Sequence, residues 1–246
     1  MQSKGVDLGL PSGTLWATCN VGADAPEEYG DFYAWGETAT KPTYSWSNYL
    51  YASGSSSTVQ DIGENIAGTE YDVAATLWGS EWVMPTLDQA NELLRKCSAS
   101  LATVNKVKGL RFKGPNGNTI FFPMTGYKYD SNYSNEGLQT YLWLSNNDNV
   151  TNVAYKAMSI HIKRSTSSAS VKTTAAPRRS GVVVRAVRAG TGSTNDFNFD
   201  TDGIFSVTTN ASSPSDDATY TLQGIKVEGQ LKPGIYIRNG KKFTVK

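Results

Sequence analysis

The strongest constraint on the fold lies in the second half of the chain, where two β signatures follow one another. Residues 110–113 (Leu-Arg-Phe-Lys) and 119–122 (Thr-Ile-Phe-Phe) flank Gly114-Pro115-Asn116-Gly117-Asn118. An Asn-Gly pair between apolar runs is a strong short-range hairpin signal. Further on, Met158, Ile160 and Ile162 alternate with Ser159, His161 and Lys163. That period of two predicts a strand with one buried and one wetted face. Residues 141–145 and 182–187 are further strand candidates, so the pattern after the helices reads as β.

The first half is less regular. Residues 6–17 read as two strands joined by a Pro11-Ser12-Gly13 turn, and residues 29–37 place Tyr29, Phe32, Tyr33 and Trp35 around Gly30 and Gly36. The Ser/Gly-rich stretch 53–57 is expected to be an exposed loop. Two helices are predicted. Residues 71–78 form a short one stopped by Gly79. Residues 86–97 form a better one, with Thr86 as N-cap and Gln89 completing a capping box. Leu87, Ala90, Leu94 and Cys97 share a face at helical spacing, which should be buried.

The composition changes at Ala189. Residues 190–196 (Gly-Thr-Gly-Ser-Thr-Asn-Asp) have the character of a linker. Beyond it, residues 220–227 and 234–237 are strand-like, and Asn239-Gly240 is a second hairpin signal. The expected organisation is a main domain over 1–188, a linker over 189–203 and a small β unit over 204–246. Residues 165–170 and 146–149 are expected to be polar loops.

Charge limits the classes of function. The chain has 23 Lys and Arg against 22 Asp and Glu, a net charge of +1. It therefore lacks the basic excess that nucleic-acid binding requires. No run of about 18 apolar residues predicts a transmembrane helix, and the first residues show no apolar signal-peptide core. Cys19 and Cys97 are candidates for a disulfide, the alternative being two buried thiols. With two cysteines and one histidine, a zinc site of four Cys/His ligands is excluded within one chain.

Several of these segments carry a resemblance. The run Val6-Asp7-Leu8-Gly9-Leu10-Pro11-Ser12-Gly13-Thr14-Leu15-Trp16-Ala17-Thr18-Cys19-Asn20-Val21-Gly22-Ala23, then Trp35-Gly36-Glu37 and Trp78-Gly79-Ser80-Glu81-Trp82-Val83-Met84-Pro85-Thr86, resembles the Fibrobacter-type major paralogous domain. The hairpin segment 114–123 and the closing Gly181-Val182-Val183-Val184-Arg185-Ala186-Val187-Arg188 continue it, so the resemblance spans roughly residues 5–188. It implies an α+β, C-type-lectin-like domain related in layout to the formylglycine-generating enzymes, with two twisted antiparallel sheets, two helices and long loops. It also implies export to the surface of a Bacteroidetes cell. The tail, residues 220–227 and 232–242, is similar to C-terminal tails of exported proteins of that group. Such a tail serves either as a sorting signal or as a structural β appendage.

No enzyme activity, cofactor or metal is expected. Residues 140–188 contain no cysteine, so the cysteine-based oxidation of the formylglycine-generating enzymes does not carry over. His161 lies near no nucleophile elbow, and Glu27, Glu28, Asp31 and Glu37 read as a solvated loop. Asn146-Asn147-Asp148-Asn149 offers oxygen ligands for calcium, but the sugar-binding Glu-Pro-Asn and Trp-Asn-Asp motifs of C-type lectins are missing, and an Asn-rich turn is the better reading. The candidate ligand site combines Tyr141 and Trp143 as stacking rings, Asn146, Asn147 and Asp148 as hydrogen-bonding groups, and Arg178 and Arg179 as a basic rim. The expected function is adhesion or ligand binding, with a glycan or a host or neighbouring surface protein as partner. The alternatives are a structural module of a surface appendage and a diversity-generating variable binding protein.

Overall fold

The computed structural model describes residues 5–148, 151 and 153–190, together with six short strands beyond them. The chain divides into two compact units, Met1–Ser193 and Thr194–Lys246, and each is described by itself.

The first unit is α+β and rich in strand. Strands β1 (Gly5–Asp7) and β2 (Thr14–Ala17) pair antiparallel around the Pro11-Ser12-Gly13 turn. A long irregular stretch follows, and then the helices α1 (Val73–Trp78) and α2 (Leu87–Lys96). The capping box of α2 is formed as predicted: Gln89 N–H donates to Thr86 Oγ1 at 3.2 Å and Thr86 N–H donates to Gln89 Oε1 at 2.9 Å. Ala90 and Leu93 are fully buried, and Leu87, Leu94 and Cys97 pack partly against the same core.

Three antiparallel groups come next. Strands β3 (Ser98–Val104), β4 (Val107–Lys113) and β5 (Thr119–Pro123) form one sheet in that order. The short hairpin of β6 (Tyr127–Tyr129) and β7 (Asn132–Ser134) follows. Strands β8 (Gln139–Asn147), β9 (Lys156–Arg164) and β10 (Ala169–Pro177) form the longest sheet. Finally β11 (Val187–Ala189) returns to pair with β2.

The β4–β5 connection shows why its residues are there. Gly117 N–H donates to Gly114 O at 3.0 Å, closing a turn with Pro115 at its second position. The connection is thus a five-residue loop rather than a two-residue Asn-Gly turn. Asn116 and Asn118 donate their amides to Asp7 O at 2.9 and 2.8 Å, which ties the loop to β1. Gly114 lies so close to the backbone just after this strand that a Cβ would stand 2.0 Å from Leu8 O.

Three expectations are corrected. Instead of two twisted antiparallel sheets, the described residues of this unit form four separate ones, two of them built from strands of only three or four residues. Residues 165–170 are not a loop throughout. Ala169 and Ser170 open β10, paired with Arg164 and Lys163, and Ser165 N–H donates to Ser168 O in a tight turn. Residues 182–187 are not one strand either. Their backbone serves several partners in turn: Val182 bridges Tyr33, Val183 accepts from Trp143 N–H, Val184 from Val21 and Ala186 from Ala17. The segment is fully or almost fully buried at every residue from Val182 to Val187.

Arg185 in that segment is also fully buried. Its guanidinium donates to Asn20 Oδ1 at 2.8 Å and to the carbonyls of Ala17, Thr18 and Phe121 at 3.0 Å, and it lies 4.6 Å from the centre of the Phe122 ring. Burial pulls its pKa below the ordinary arginine range, yet the fork of donors is matched by an equally fixed set of acceptors. This cation ties the segment 17–20 and its own segment to β5 of the sheet of β3, β4 and β5.

No helix among the described residues is long and apolar enough to cross a membrane. In the second unit, β12 (Asn195–Asp196) pairs with β13 (Thr208–Thr209), and β14 (Thr219–Thr221), β15 (Lys226–Val227), β16 (Gly234–Arg238) and β17 (Lys241–Val245) form an antiparallel sheet in the order β15-β14-β16-β17. Arg238 faces Lys241 across the last hairpin; its Asn239-Gly240 turn lies outside the described residues.

Candidate functional site

The sheet of β8, β9 and β10 has two unlike faces, and the difference between them makes the site. One face carries Leu142, Leu144, Met158, Ile160 and Ile162 into the main core, with α2 packed against it. The other face carries Trp143, Ala157 and Ala176 into a second apolar cluster at one end. Away from that cluster the same face opens, through the half-buried Tyr141 and His161 to the exposed Lys163 and Lys172. Alternation alone predicts one wet face, whereas Ser159 is fully buried there and donates to Thr174 O at 2.9 Å.

Where this face opens lies a groove of about 310 Å³, lined by Tyr127, Tyr129, Tyr141, Ala175–Pro177, Arg179, Ser180 and Val182. That volume is at the lower end of small-ligand sites. Tyr127 and Tyr129 sit two apart on β6, so both rings project from one side; their centroids are 5.8 Å apart and the planes nearly parallel at 27°. Tyr141 meets Tyr127 edge to face at 5.3 Å. His161 lies flat behind Tyr141, with centroids 4.2 Å apart and planes within 5°. The imidazole is fixed further by Gln139 Oε1, 2.8 Å from Nε2. Burial first, then the charges of Lys172 and Lys163, hold the His161 pKa below its ordinary value. Burial likewise raises the Tyr141 phenol, so the stacked Tyr141–His161 pair favours its neutral form.

β6 is held between two partners. Gly126 N–H donates to Gln139 O at 2.7 Å, while Lys128 and Gly181 exchange two backbone hydrogen bonds of 2.9 Å. Gly181 is required there, since a Cβ would stand 2.8 Å from the Tyr44 ring behind it. At the polar end, Arg179 Nη1 donates to Tyr44 O and Asp130 Oδ1, each at 2.9 Å. Its Nε is buried without a partner among the described residues.

The residues expected to form the site are thus divided. Tyr141 and Arg179 line the groove. Trp143 does not: it is fully buried, and its Nε1 donates to Tyr33 O at 2.8 Å. Two residues along β8 is one step deeper into the apolar cluster, and Leu142 and Leu144 flank it on the core side. Arg178 is buried too, 4.5 Å from the centre of the Trp35 ring, donating to Lys156 O and Gln60 O. The two arginines lie in the turn after β10, and only Arg179 lines the groove.

Asn146 and Asn147 belong to β8 rather than to a loop. Asn146 Oδ1 accepts from Leu87 N–H at 2.7 Å and so caps α2 from outside. Asn147 donates its backbone N–H to Glu64 O at 2.9 Å. Asp148 is buried and accepts from the Thr151 N–H and hydroxyl; Asn149 lies outside the described residues. Cys19 and Cys97 are thiols, not a disulfide. Cys19 Sγ donates to Ala23 O at 3.0 Å, while Cys97 ends α2 against the main core. Glu37, read as a solvated carboxylate, is buried and paired with Lys41 at 2.7 Å.

Tyr127 and Tyr129 escaped the sequence reading. Tyr127-Lys128-Tyr129 is a legible alternation, but three residues are too few to distinguish a strand from a loop. A second hollow, of about 210 Å³ and lined by Val6, Pro26, Val104, Arg111 and Phe121 among others, offers only one aromatic ring. Comparisons with protein-family models, with curated proteins and with solved structures found no match to this chain.

Proposed function

We propose that this chain is a non-catalytic, surface-displayed adhesion domain that binds carbohydrate in the tyrosine groove. The observation that carries the reading is the arrangement of Tyr127, Tyr129 and Tyr141 along one open groove that Arg179 and Ser180 also line. Tyrosine offers an apolar ring face with a polar tip, which suits a sugar ring that is apolar on its C–H face and polar at its edge. The backbone bonds that clamp β6 hold these rings in place before a ligand arrives, which limits the ordering cost of binding. The two helices, the hairpins and the long stretch between β2 and α1 agree with a C-type-lectin-like fold, and that is the fold we assign. The low charge content and the resemblance of residues 5–188 support an exported, extracellular home.

A glycan array tests this, using the full chain and the Tyr129→Ala and Tyr141→Ala variants, with calcium and with a chelator. Saturable binding is expected for the wild type, weakened about tenfold or more in each folded variant. The chelator is expected to change nothing, because Asn146 and Asp148 are already engaged within the protein. A blank array for folded wild type, or full binding by Tyr141→Ala, would overturn the reading.

A further inference from the structure

We infer that the sugar this groove takes is acidic, bearing a carboxylate or a sulfate, an inference that rests on the carbohydrate reading above. Strands β8, β9 and β10 carry Lys156, Lys163, Arg164 and Lys172 and not one Asp or Glu. In a chain whose net charge is +1, that is a local concentration of positive charge.

The register places part of it beside the groove. Tyr141 pairs with His161, and His161 with Lys172, in one row across the sheet; Gln139, Lys163 and Ser170 form the next row on the same face. With strands about 4.8 Å apart, the Lys172 backbone lies roughly 10 Å from that of Tyr141. A short oligosaccharide stacked on the tyrosines reaches that far. Lys163 and Lys172 are exposed, and neither has a carboxylate partner among the described residues. At the other end, Arg179 lines the groove and is only partly neutralised by Asp130, whose side chain is 54% exposed. A bound anion therefore meets cations at both ends of an aromatic wall.

The groups facing His161 are Tyr141 and Gln139 from β8, Lys163 on its own strand and Lys172 from β10. The two lysines already disfavour its protonated form, so their field extends to the ring behind the binding wall. An anion held by those lysines would offset that field. His161 is the only histidine in the chain, and its imidazole proton resonances report the change without ambiguity.

The test is calorimetric titration of the full chain with three probes: neutral galacto-oligosaccharides, oligogalacturonates and sulfated galactose oligomers. At least one acidic probe is expected to bind about tenfold more tightly than the neutral one, the scale of one charge-assisted hydrogen bond. Whichever acidic probe shows the preference identifies carboxylate or sulfate as the recognised group. The preference is expected to shrink to about threefold or less in Lys163→Ala/Lys172→Ala and at about 0.5 M salt, with neutral binding unchanged. The His161 pKa is expected to rise with the acidic probe and stay put with the neutral one. Equal affinity for neutral and acidic probes would overturn this inference and leave carbohydrate binding standing. Failure of all three probes to bind the folded protein would overturn both.

Discussion

Arg185 and His161 show how single buried or half-buried residues set stability and its pH dependence. Arg185 is a buried cation satisfied by three carbonyls and one amide oxygen, a planar set that a lysine ammonium reproduces poorly. Arg185→Lys is expected to lower stability by roughly 2–4 kcal/mol, since several buried acceptors lose their donors. Urea denaturation checks this, and an unchanged midpoint would contradict it. His161 stacks on Tyr141, behind the groove wall. Its folded pKa lies below the unfolded value of 6.5, so the unfolded chain binds the proton more readily. The stability His161 contributes is present above pH 6.5 and is lost as pH falls through that value towards the folded pKa. Between pH 7.5 and 5 the wild type should therefore lose more stability than His161→Gln, as paired urea melts would show.

At the scale of elements, α2 was the most legible piece of the sequence. Thr86, Gln89 and the apolar spacing each state the same local rule, and no tertiary contact contradicts it. The β4–β5 hairpin was legible for the same reason. β10 was not, because Ala-Ser-Val-Lys-Thr-Thr-Ala-Ala-Pro contains a single branched aliphatic residue and becomes a strand only through its pairing with β9. The site was half legible. Tyr141 and Trp143 share a face of β8, but the sequence does not show where along that face the second apolar cluster ends. The Asn-rich segment misled for a related reason: Asn146 looks like a ligand and serves as a cap. Asn146→Ala is expected to cost about 1 kcal/mol of stability, the usual worth of a helix cap, and to leave carbohydrate affinity within twofold. Parallel thermal melts and titrations separate the two effects; lost affinity without lost stability would return Asn146 to the site.

For the whole molecule, the segment 181–187 matters most, because it touches β2, β6, β8 and the aromatic region around Tyr33 in succession. The same threading that buries Arg185 fixes Arg179, Ser180 and Val182 in the lining of the groove, so fold and site are one construction. Cross-linking is not part of it. Two thiols are expected per unfolded chain by titration with a thiol reagent, and reductant should leave the melting temperature unchanged. A disulfide between Cys19 and Cys97 would instead reveal itself as a loss of roughly 4 kcal/mol on reduction.

The most direct test of where this protein binds is an amide NMR titration of the full chain with the oligosaccharide that binds best on the array. The groove assignment predicts saturable shifts confined to Tyr127, Tyr129, Tyr141 and residues 175–182. Shifts gathered instead at Asn146, Asn147 and Asp148, with the tyrosines silent, would contradict it.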